Sequence, residues 1–386
     1  MQILIVEPFY GGSHAAWAEG YRRHSSHSVE ILGLPGKNWK WRMQGAAVTL
    51  ARRYRDLLAS GKRYDLILAS DMFDLAAFLG LIRDLPGAGP GFGPPVALYF
   101  HENQLTYPSS PKEQVRSAGR DRKFGLINFT SALAADTCFF NSAFHHRSFI
   151  EALPVFLGRF PDCQELDAVA EIEKKSEVLH LGIDLERLSA LKPPGDLLDK
   201  LERPPLILWN HRWEFDKNPA EFFAVLQELV VSGYDFEVAI LGEHYQPPPE
   251  LFLDNRKLLG RRLIHFGYAE SFADYAAWLW RADILPVTSY HDFFGVSVIE
   301  AVYCNCYPLL PRRLAYPEHF QGSDKDRFFY LDYNSLCEKL KHLLDHLEGV
   351  RLTRPRSLVS HYDWSVMAPQ YDEKMTCLIN LNEEFV

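Results

Sequence analysis

The stretch PLILWNHRWEFDKNP, Pro205 to Pro219, carries the pattern on which the fold of this chain can be argued. Its apolar start predicts a buried strand, and a helical pattern follows at 219–232. Between them stand Arg212 and Lys217, five positions apart. A strand that ends where two cations meet a helix N-terminus suits an anion, because unpaired N–H groups and the helix dipole add to the side-chain charges. The alternative is a solvated loop with two surface cations.

The first half of the chain repeats this alternation of strand, polar loop and helix. The predicted strands are Ile3–Val6, Val29–Leu32, Leu66–Ala69, Val96–Phe100 and Thr137–Asn141, and the predicted helices lie near 14–23, 44–60, 72–83 and 124–135. Such alternation indicates a parallel sheet covered by helices. The Gly/Pro stretch 86–95 is interpreted as a surface connection.

A second series of the same kind begins after residues 192–195. Its predicted strands lie at 206–209, 236–241, 263–266 and 283–287, and its helices near 219–232, 249–260, 271–281 and 296–303. Two open α/β domains in tandem are therefore expected, joined around residues 180–204. A chain of 386 residues is long enough for two hydrophobic cores.

Composition narrows the class of protein. The chain is 47% hydrophobic and 24% charged, with no basic leader and no apolar run of bilayer length, so we expect a cytosolic protein. The six cysteines are scattered and are interpreted as reduced, mostly buried thiols. The net charge of −9 argues against a nonspecific nucleic-acid binder, yet residues 1–160 carry 18 Lys and Arg against 13 Asp and Glu, a net +5.

The polar clusters of the chain fall at the ends of predicted strands. They are Gly11 to His14, His101 to Gln104, Arg212 to Lys217, Gly242-Glu243 and Ser289 to Gly295. Because open α/β sheets bind ligands outside the carboxyl ends of their strands, we expect the function in a cleft between the two domains.

The Gly11-Gly12 pair follows a strand and precedes a helix, so its backbone can approach an anion or a sugar closely. A tight turn is the alternative. The chain contains neither the dinucleotide fingerprint nor the P-loop motif, which weakens the dehydrogenase and ATPase interpretations.

The segment HDFFGVSVIE, His291 to Glu300, places one acid at a strand end and a second acid on the helix that follows a glycine loop. Asp292 and Glu300 are then expected to face one ligand from two levels. Carboxylates suit sugar hydroxyls, because each oxygen accepts strong, charge-assisted hydrogen bonds.

Taken in order, GG, R-x4-K, Phe266-Gly267-Tyr268, Thr288-Ser289 and D-x-F-G-x4-E resemble the family-4 retaining glycosyltransferases of the GT-B fold, which carry Glu where this chain has Asp292. The segments LPGKNWKWR (34–42), YFHENQLTYP (99–108), WNHRWEFDKNP (209–219) and DFFGVSVIEAVYCNCYPL (292–309) are similar to motifs of the tRNA-queuosine α-mannosyltransferases. That family transfers mannose from GDP-mannose to queuosine at the wobble position of tRNA for aspartate.

The resemblance implies a GT-B fold, with two Rossmann-like doubly wound domains facing across a cleft. We draw an acceptor domain at 1–185, a nucleotide-sugar domain at 186–360, and a C-terminal helix at 361–386 that returns to the first domain.

The resemblance also implies roles for individual residues. Arg212 and Lys217 would hold the donor diphosphate, Asp292 the sugar, Glu300 the ribose, and His101 would lie near the transferred sugar; these residues except Glu300 form the predicted catalytic set. The further donor-binding residues expected are Gly11, Gly12, Gly242, Phe266, Gly267, Tyr268, Ser289, Phe293, Phe294, Gly295 and Val296.

The basic first half is expected to receive the RNA acceptor. Its predicted contacts are Ser13, His14, Lys40, Trp41, Arg42, Glu102 and Asn103, with Lys37 and the 112–123 loop as further phosphate contacts and Trp39 as a second stacking ring. Glu102 is the alternative candidate for a base, although retention is expected by same-face attack with the leaving phosphate accepting the proton.

We expect no metal requirement, because two cations can balance the leaving group and the D-x-D at Asp324 to Asp326 lies in a surface-type loop. The alternatives are a GT-B enzyme acting on a saccharide or lipid, a sugar-nucleotide or RNA binding module without turnover, and a UDP-sugar epimerase.

Overall fold

The computed structural model describes residues 1–85, 93–108, 121–194, 202–242, 249–320 and 325–383. The chain forms two compact units. Unit 1 comprises Met1–Ile183 and Tyr362–Val386, and unit 2 comprises Asp184–His361. The boundaries drawn from the sequence follow residues 185 and 360.

Unit 1 is built on a six-stranded sheet whose neighbouring strands all pair in parallel. Its strands are β1 (Gln2–Tyr10), β2 (Ser28–Pro35), β3 (Leu66–Ser70), β4 (Val96–Phe100), β5 (Thr137–Phe140) and β6 (Ser176–Val178). Its described helices are α1 (Gly12–His24), α2 (Trp39–Ala59), α3 (Leu75–Ile82), α4 (Asp121–Ala134), α5 (Ala143–Leu157), α6 (Ala168–Lys174) and the C-terminal α15 (Trp364–Glu383). The central strands are buried, as a parallel sheet covered by helices requires.

Unit 2 is built on a second six-stranded sheet, also parallel throughout. Its strands are β7 (Leu206–Trp209), β8 (Glu237–Ile240), β9 (Leu263–Phe266), β10 (Ile284–Pro286), β11 (Tyr307–Pro311) and β12 (Phe329–Tyr330). Its described helices are α7 (Leu185–Ala190), α8 (Pro219–Val231), α9 (Glu250–Leu259), α10 (Phe272–Arg281), α11 (Val296–Tyr303), α12 (Tyr316–His319), α13 (Tyr333–Asp345) and α14 (Leu347–Leu352).

The strand orders mark where each sheet changes direction of winding. Unit 2 has the order β12-β11-β10-β7-β8-β9, which is the Rossmann order and reverses between β7 and β10. Unit 1 has the order β2-β1-β3-β4-β5-β6, which is flavodoxin-like and reverses between β1 and β3. Ligands of such sheets bind outside the carboxyl ends of the strands at these switch points.

The predicted fold class, two doubly wound α/β domains, is confirmed. One helix boundary was wrong, because α2 begins at Trp39 and not near residue 44. Asn38 takes a left-handed conformation (φ 55°) before the helix, which asparagine tolerates well, and the Trp39 ring packs 5.3 Å from the ring of Phe124. Lys40, Trp41 and Arg42 therefore lie in the first turn of a helix.

Helix α15 returns to unit 1, as predicted. The Trp364 ring covers Gly20 and Gly182, where an added Cβ would come within 1.9 and 2.3 Å of the indole. The indole N–H of Trp17 donates to the Tyr371 hydroxyl at 3.2 Å. Glycines at these two positions let the terminal helix pack against α1.

The six cysteines are free thiols, and four of them are buried. Along the described ranges we find no helix with both the length and the apolar character needed to cross a bilayer.

Candidate active site

The loop after β7 carries the two predicted cations of unit 2. Trp213 anchors this loop: its ring stacks 4.3 Å from that of Phe252, and its indole N–H donates to the Leu241 carbonyl at 2.9 Å. Arg212 precedes this buried anchor, and its side chain is 50% exposed, with one guanidinium nitrogen 3.3 Å from a Glu214 oxygen. One cation of the pair is therefore presented at the surface.

Lys217 is the buried cation of the pair. Its Nζ lies 2.9 Å from the His291 carbonyl, 3.1 Å from an Asp216 oxygen and 3.4 Å from an Asp292 oxygen. Burial by itself would lower the pKa of Lys217, but Asp292 and Asp216 together raise that pKa above its usual value. The ammonium is therefore charged at every physiological pH.

Two loops meet at the unit 2 switch point. The Thr288 hydroxyl, at the carboxyl end of β10, donates to the carbonyls of Lys217 and Asn218 at 3.0 and 2.9 Å. The Tyr290 N–H donates to the Asp216 carbonyl at 2.7 Å, and Ser289 between them is buried. These contacts hold residues 210–218, which we call the cation loop, against the loop that carries Asp292.

Asp292 lies between Lys217 and the Tyr316 hydroxyl, which donates to it at 3.2 Å. Burial would raise the pKa of Asp292, but Lys217, His211 and His291 lower it below the usual range. Gly295 follows at φ 94°, and a Cβ there would come within 3.0 Å of the Tyr316 ring. Glycine therefore allows the turn into α11; Phe293 and Phe294 before it are buried, and Val296 is the first residue of that helix.

Glu300 stands on α11, where the Tyr275 hydroxyl donates to it at 2.7 Å. Burial raises the pKa of this carboxyl to about 7, with Tyr275 acting in the opposite direction. The neighbouring amide of Asn210 donates to the Ser297 carbonyl at 2.7 Å. The carboxylate and the end of β7 are thus held on the same side of α11.

The remaining predicted donor residues of unit 2 follow β8 and β9. Gly242 has φ 109°, and a Cβ there would lie 2.0 Å from the His211 carbonyl oxygen, so only glycine fits against the cation loop. Phe266 ends β9 with its ring 4.7 Å from that of Trp213. Gly267 has φ 135°, and Tyr268 after it is 70% exposed. An exposed ring at a strand end suits stacking on a base.

In unit 1, the glycine pair lies at the switch point beside β1. Gly11 approaches Gly36 so closely that a Cβ would come within 3.1 Å of the Gly36 Cα. Gly12 has φ 53° and open space around it, and Ser13 is exposed at the start of α1. The backbone here is open to a ligand.

The rings of His14 and His101 lie side by side at the same edge of the unit 1 sheet, with their centroids 4.2 Å apart. The Nδ1 atom of His14 lies 3.2 and 3.3 Å from the two carboxylate oxygens of Glu7. The backbone N–H of His101 donates to Asp71 at 2.8 Å. All four residues are buried.

The charge states of these two histidines differ. Burial by itself would lower the pKa of His14, but Glu7, Asp71 and Glu102 raise it to about 9. Burial, reinforced by the charge of His14, keeps the pKa of His101 well below its usual range. At neutral pH the edge therefore holds one imidazolium and one neutral imidazole.

Glu102 and Asn103, the other predicted acceptor residues after β4, both have partners within their own turn. Glu102 accepts a hydrogen bond from the Gln104 amide at 2.8 Å. The Asn103 side-chain oxygen accepts from the N–H groups of Leu105 and Thr106, each at 3.0 Å. Asn103 is fully buried, so its main role is to stabilise this turn.

The first turn of α2 presents the aromatic and basic residues of the WKWR segment. Trp41 is 63% exposed and lies over Gly45, where a Cβ would come within 2.7 Å of the ring. Arg42 donates to the Pro35 carbonyl, at 3.2 Å from its nearer nitrogen, and the Lys40 Nζ lies 5.3 Å from the Trp39 ring centroid. Trp39 itself packs into a small apolar cluster, so Trp41 is the ring available for stacking.

Ligand-type atoms of Glu7, His14 and His101 lie within 4.8 Å of one another. Nδ1 of His14 lies 3.2 Å from a Glu7 oxygen, and a protonated ring at that distance forms an ion pair with the carboxylate. We therefore treat these groups as an ion pair beside a second imidazole. Of the D-x-D pair, Asp326 is an exposed partner of Arg312, whereas Asp324 and residues 109–120 of the basic loop lie outside the described residues.

Glu7 and Asp71 were not among the site residues predicted from the sequence. Both carried a signal: Glu7 is a charge inside an apolar strand, and Asp71 directly follows the buried β3. Tyr275 contacts Glu300, and Tyr316 contacts Asp292. No sequence signal marked these two tyrosines, because they come from distant elements.

Solved structures share this fold along nearly their whole length. The catalytic domain of starch synthase IV from Arabidopsis thaliana, bound to ADP and acarbose, is 14% identical and superposes with a TM-score of 0.70, covering 98% of this chain and 99% of that one. Sucrose-phosphate synthase from Thermosynechococcus elongatus is 15% identical, with a TM-score of 0.67 and coverage of 99% and 100%. The fold is that of the GT-B glycosyltransferases.

The sequence comparisons indicate one particular family, whereas the solved structures show only the fold. The family model for the N-terminal part of tRNA-queuosine alpha-mannosyltransferase matches residues 2–183. A tRNA-queuosine alpha-mannosyltransferase from Drosophila melanogaster is 37% identical over 345 residues, covering 88% of this chain and 85% of that protein. The chain belongs to the tRNA-queuosine alpha-mannosyltransferase family.

Proposed function

We propose that this protein is a retaining mannosyltransferase that transfers mannose from GDP-mannose to queuosine in the anticodon of tRNA(Asp), in the cytoplasm and without a metal ion. Its Drosophila relative is a tRNA-queuosine alpha-mannosyltransferase, which supports mannose as the sugar and queuosine as the acceptor. The observation that carries the proposal is the contact between Lys217 and Asp292 at the unit 2 switch point. It sets a charged ammonium, suited to a phosphate, beside a carboxylate suited to sugar hydroxyls.

Arg212 and Lys217 act on the donor diphosphate. In sugar transfer from a nucleoside diphosphate, negative charge develops on the leaving phosphate, and fixed cations stabilise it. Lys217 is charged and held by its neighbours before any substrate arrives. Arg212 is exposed and supplies planar, paired donors that match a phosphate. Two cations supply this stabilisation without a metal.

The nucleoside and the sugar of the donor bind along the rest of the carboxyl edge of the unit 2 sheet. Glu300 binds the ribose hydroxyls, and Tyr268 with Phe266 and Gly267 receives the base. Asp292 binds hydroxyls of the mannose, together with Ser289 and the backbone of Phe293, Phe294, Gly295 and Val296, while Gly242 leaves room for the diphosphate. Starch synthase IV, which shares this fold, binds ADP, and this supports a nucleotide as a ligand of the present chain.

Unit 1 supplies the acceptor side of the reaction. Trp41 stacks on a splayed base and Lys40 and Arg42 contact phosphates, while Ser13, His14, Glu102 and Asn103 surround the queuosine. Gly11 and Gly12 permit close approach, and His101 lies near the transferred sugar. The acceptor hydroxyl attacks from the face that the diphosphate leaves, and the leaving phosphate takes its proton, so configuration is retained.

The test is transfer of labelled mannose from GDP-mannose, with EDTA present, to tRNA that contains queuosine and to matched tRNA that lacks it. We expect label on the first tRNA only, and none with Lys217→Met. Label on neither tRNA despite donor binding would exclude queuosine and favour a saccharide or lipid acceptor. Activity that EDTA abolishes and a divalent cation restores would exclude metal independence.

A further inference from the structure

Glu7 is a buried carboxylate that the proposed chemistry does not yet use. It lies inside β1, between strands β2 and β3, and its side chain is fully inaccessible to solvent. Burying a charge without a partner is costly, so a glutamate in this position needs a reason.

The contacts of Glu7 are with the last residues of β1 and with the helix that follows it. Its Oε1 accepts the Phe9 N–H at 2.8 Å. Both of its oxygens lie within 3.3 Å of Nδ1 of His14, at the start of α1. The carboxylate therefore fixes both the position of the His14 ring and the nitrogen that faces the sheet.

The other nitrogen of His14 faces away from Glu7. Both hydrogen bonds of the His14 ring within the described part of the chain use Nδ1, and none uses Nε2. The ring of His101, whose own Nε2 is buried without a partner, lies tilted against it at 4.2 Å. Of these two imidazole nitrogens at one sheet edge, Nε2 of His101 is enclosed, which leaves Nε2 of His14 for a ligand.

We propose that Glu7 is a positioning residue for the transfer reaction: by holding Nδ1 of His14, it presents Nε2–H of that ring as a hydrogen-bond donor to a hydroxyl oxygen of the acceptor. This inference rests on the proposed function, in which His14 belongs to the acceptor site.

The charge of His14 supports this role. Four titratable groups face the ring: Glu7 from β1, Asp71 after β3, and His101 and Glu102 after β4. Burial would lower the pKa of His14, but the three carboxylates raise it to about 9, so Nε2 carries a proton at neutral pH. The charged form is present below that pKa and is lost as the pH rises through about 9.

The first test is the pH profile of kcat/KM for Glu7→Gln. Without the carboxylate, burial dominates and the pKa of His14 falls. At pH 8 we expect transfer about ten- to a hundredfold slower than in the wild type, with partial recovery at pH 6. Glu19→Gln is the matched control, because Glu19, also on α1, bonds to Tyr10 and Arg22 and should leave the profile unchanged.

A double-mutant cycle separates positioning from general stability. If Glu7 acts through His14, then Glu7→Gln adds little further loss in a His14→Gln background. Full additivity of the two losses contradicts the proposal. If Glu7→Gln does not fold, Glu7→Asp replaces it: this variant keeps the charge, so we expect the wild-type pH profile with a lower kcat.

An NMR titration of the histidine rings in the free enzyme provides a second readout. A His14 midpoint near 9 that falls in Glu7→Gln supports the proposal, and equal midpoints overturn it. If the wild type transfers mannose to queuosine tRNA and Glu7→Gln matches it, only the role of Glu7 is wrong. If the wild type transfers none, the proposed function falls first. Stoichiometric zinc that EDTA removes together with activity would also overturn the proposal, since the metal would replace the Nδ1 proton.

Discussion

Arg212 and Lys217 look equivalent in the sequence, yet the structure gives them different surroundings. Arg212 is half exposed beside Glu214, whereas Lys217 is buried against Asp216 and Asp292. Removal of Arg212 leaves only the partly exposed Glu214 without this pair, but removal of Lys217 leaves two buried carboxylates without their cation.

This difference predicts separable effects for the two cations. Arg212→Ala should lower kcat by about 10²- to 10³-fold, the cost of one donor at a developing charge, with an unchanged melting temperature. Lys217→Ala should abolish transfer and also destabilise the protein by about 3–5 kcal/mol. Kinetics and thermal unfolding of both variants decide the matter, and equal melting temperatures would contradict the burial argument.

Because the Glu300 carboxyl has a raised pKa, we expect donor binding to depend on pH. Burial raises its pKa to about 7, so the carboxylate that accepts hydrogen bonds from the ribose forms as the pH rises through that value. GDP-mannose should therefore bind more tightly at pH 8 than at pH 6. Calorimetry on the wild type and Glu300→Gln checks this, and a pH dependence that persists in the variant would assign it to another group.

At the scale of elements, one buried carboxylate joins three segments of unit 2. Asp283, just before β10, accepts hydrogen bonds from Arg351 of α14 at 3.0 Å, from Arg203 at 2.9 Å and from the Leu206 N–H of β7 at 2.9 Å. It lies at the amino ends of the strands, away from the edge that carries the candidate donor site.

Asp283→Ala should therefore destabilise unit 2 by about 3–5 kcal/mol, because it leaves the buried Arg351 guanidinium without its carboxylate partner. Chemical unfolding measures the change. Asp254→Ala is the control, since within the described ranges Asp254 forms only an exposed pair with Lys257 and should change stability by less than about 0.5 kcal/mol. Equal effects of the two substitutions would show that the Asp283 network is not stabilising.

At the scale of the whole molecule, charge is distributed unevenly. Residues 1–160 have a net charge of +5 within a chain of net −9. A basic half that meets RNA phosphates releases counterions, so affinity for tRNA should fall steeply with salt, whereas donor binding should respond less.

Lys40→Ala should reduce the slope of log K for tRNA against log salt by about 1, because Lys40 contacts a phosphate in the proposed complex. Lys257→Ala, which removes an exposed lysine of unit 2, should leave the slope unchanged. Fluorescence titrations at several salt concentrations measure both slopes, and identical slopes for the wild type and Lys40→Ala would exclude a contact there.

Much of this molecule follows from local sequence. The alternation of apolar runs and amphipathic segments predicted two doubly wound domains, because strand and helix periods are properties of neighbouring residues. Arg212, Lys217, Asp292 and His101 were predicted as site residues because they lie in the polar segments that follow predicted strands, and the carboxyl ends of parallel strands share one edge. The family resemblance then rested on long motifs around these same residues.

Tertiary structure alone decided which of these groups are paired and charged. Lys217 and Asp292 are 75 positions apart and meet only because β7 and β10 are neighbours at the switch point. Glu7 and His101 are held to His14 from different strands, and Tyr275 and Tyr316 reach the two acids of unit 2 from other helices. Burial and long-range contacts set the pKa values of such groups, and neither is encoded in the spacing of residues along the chain.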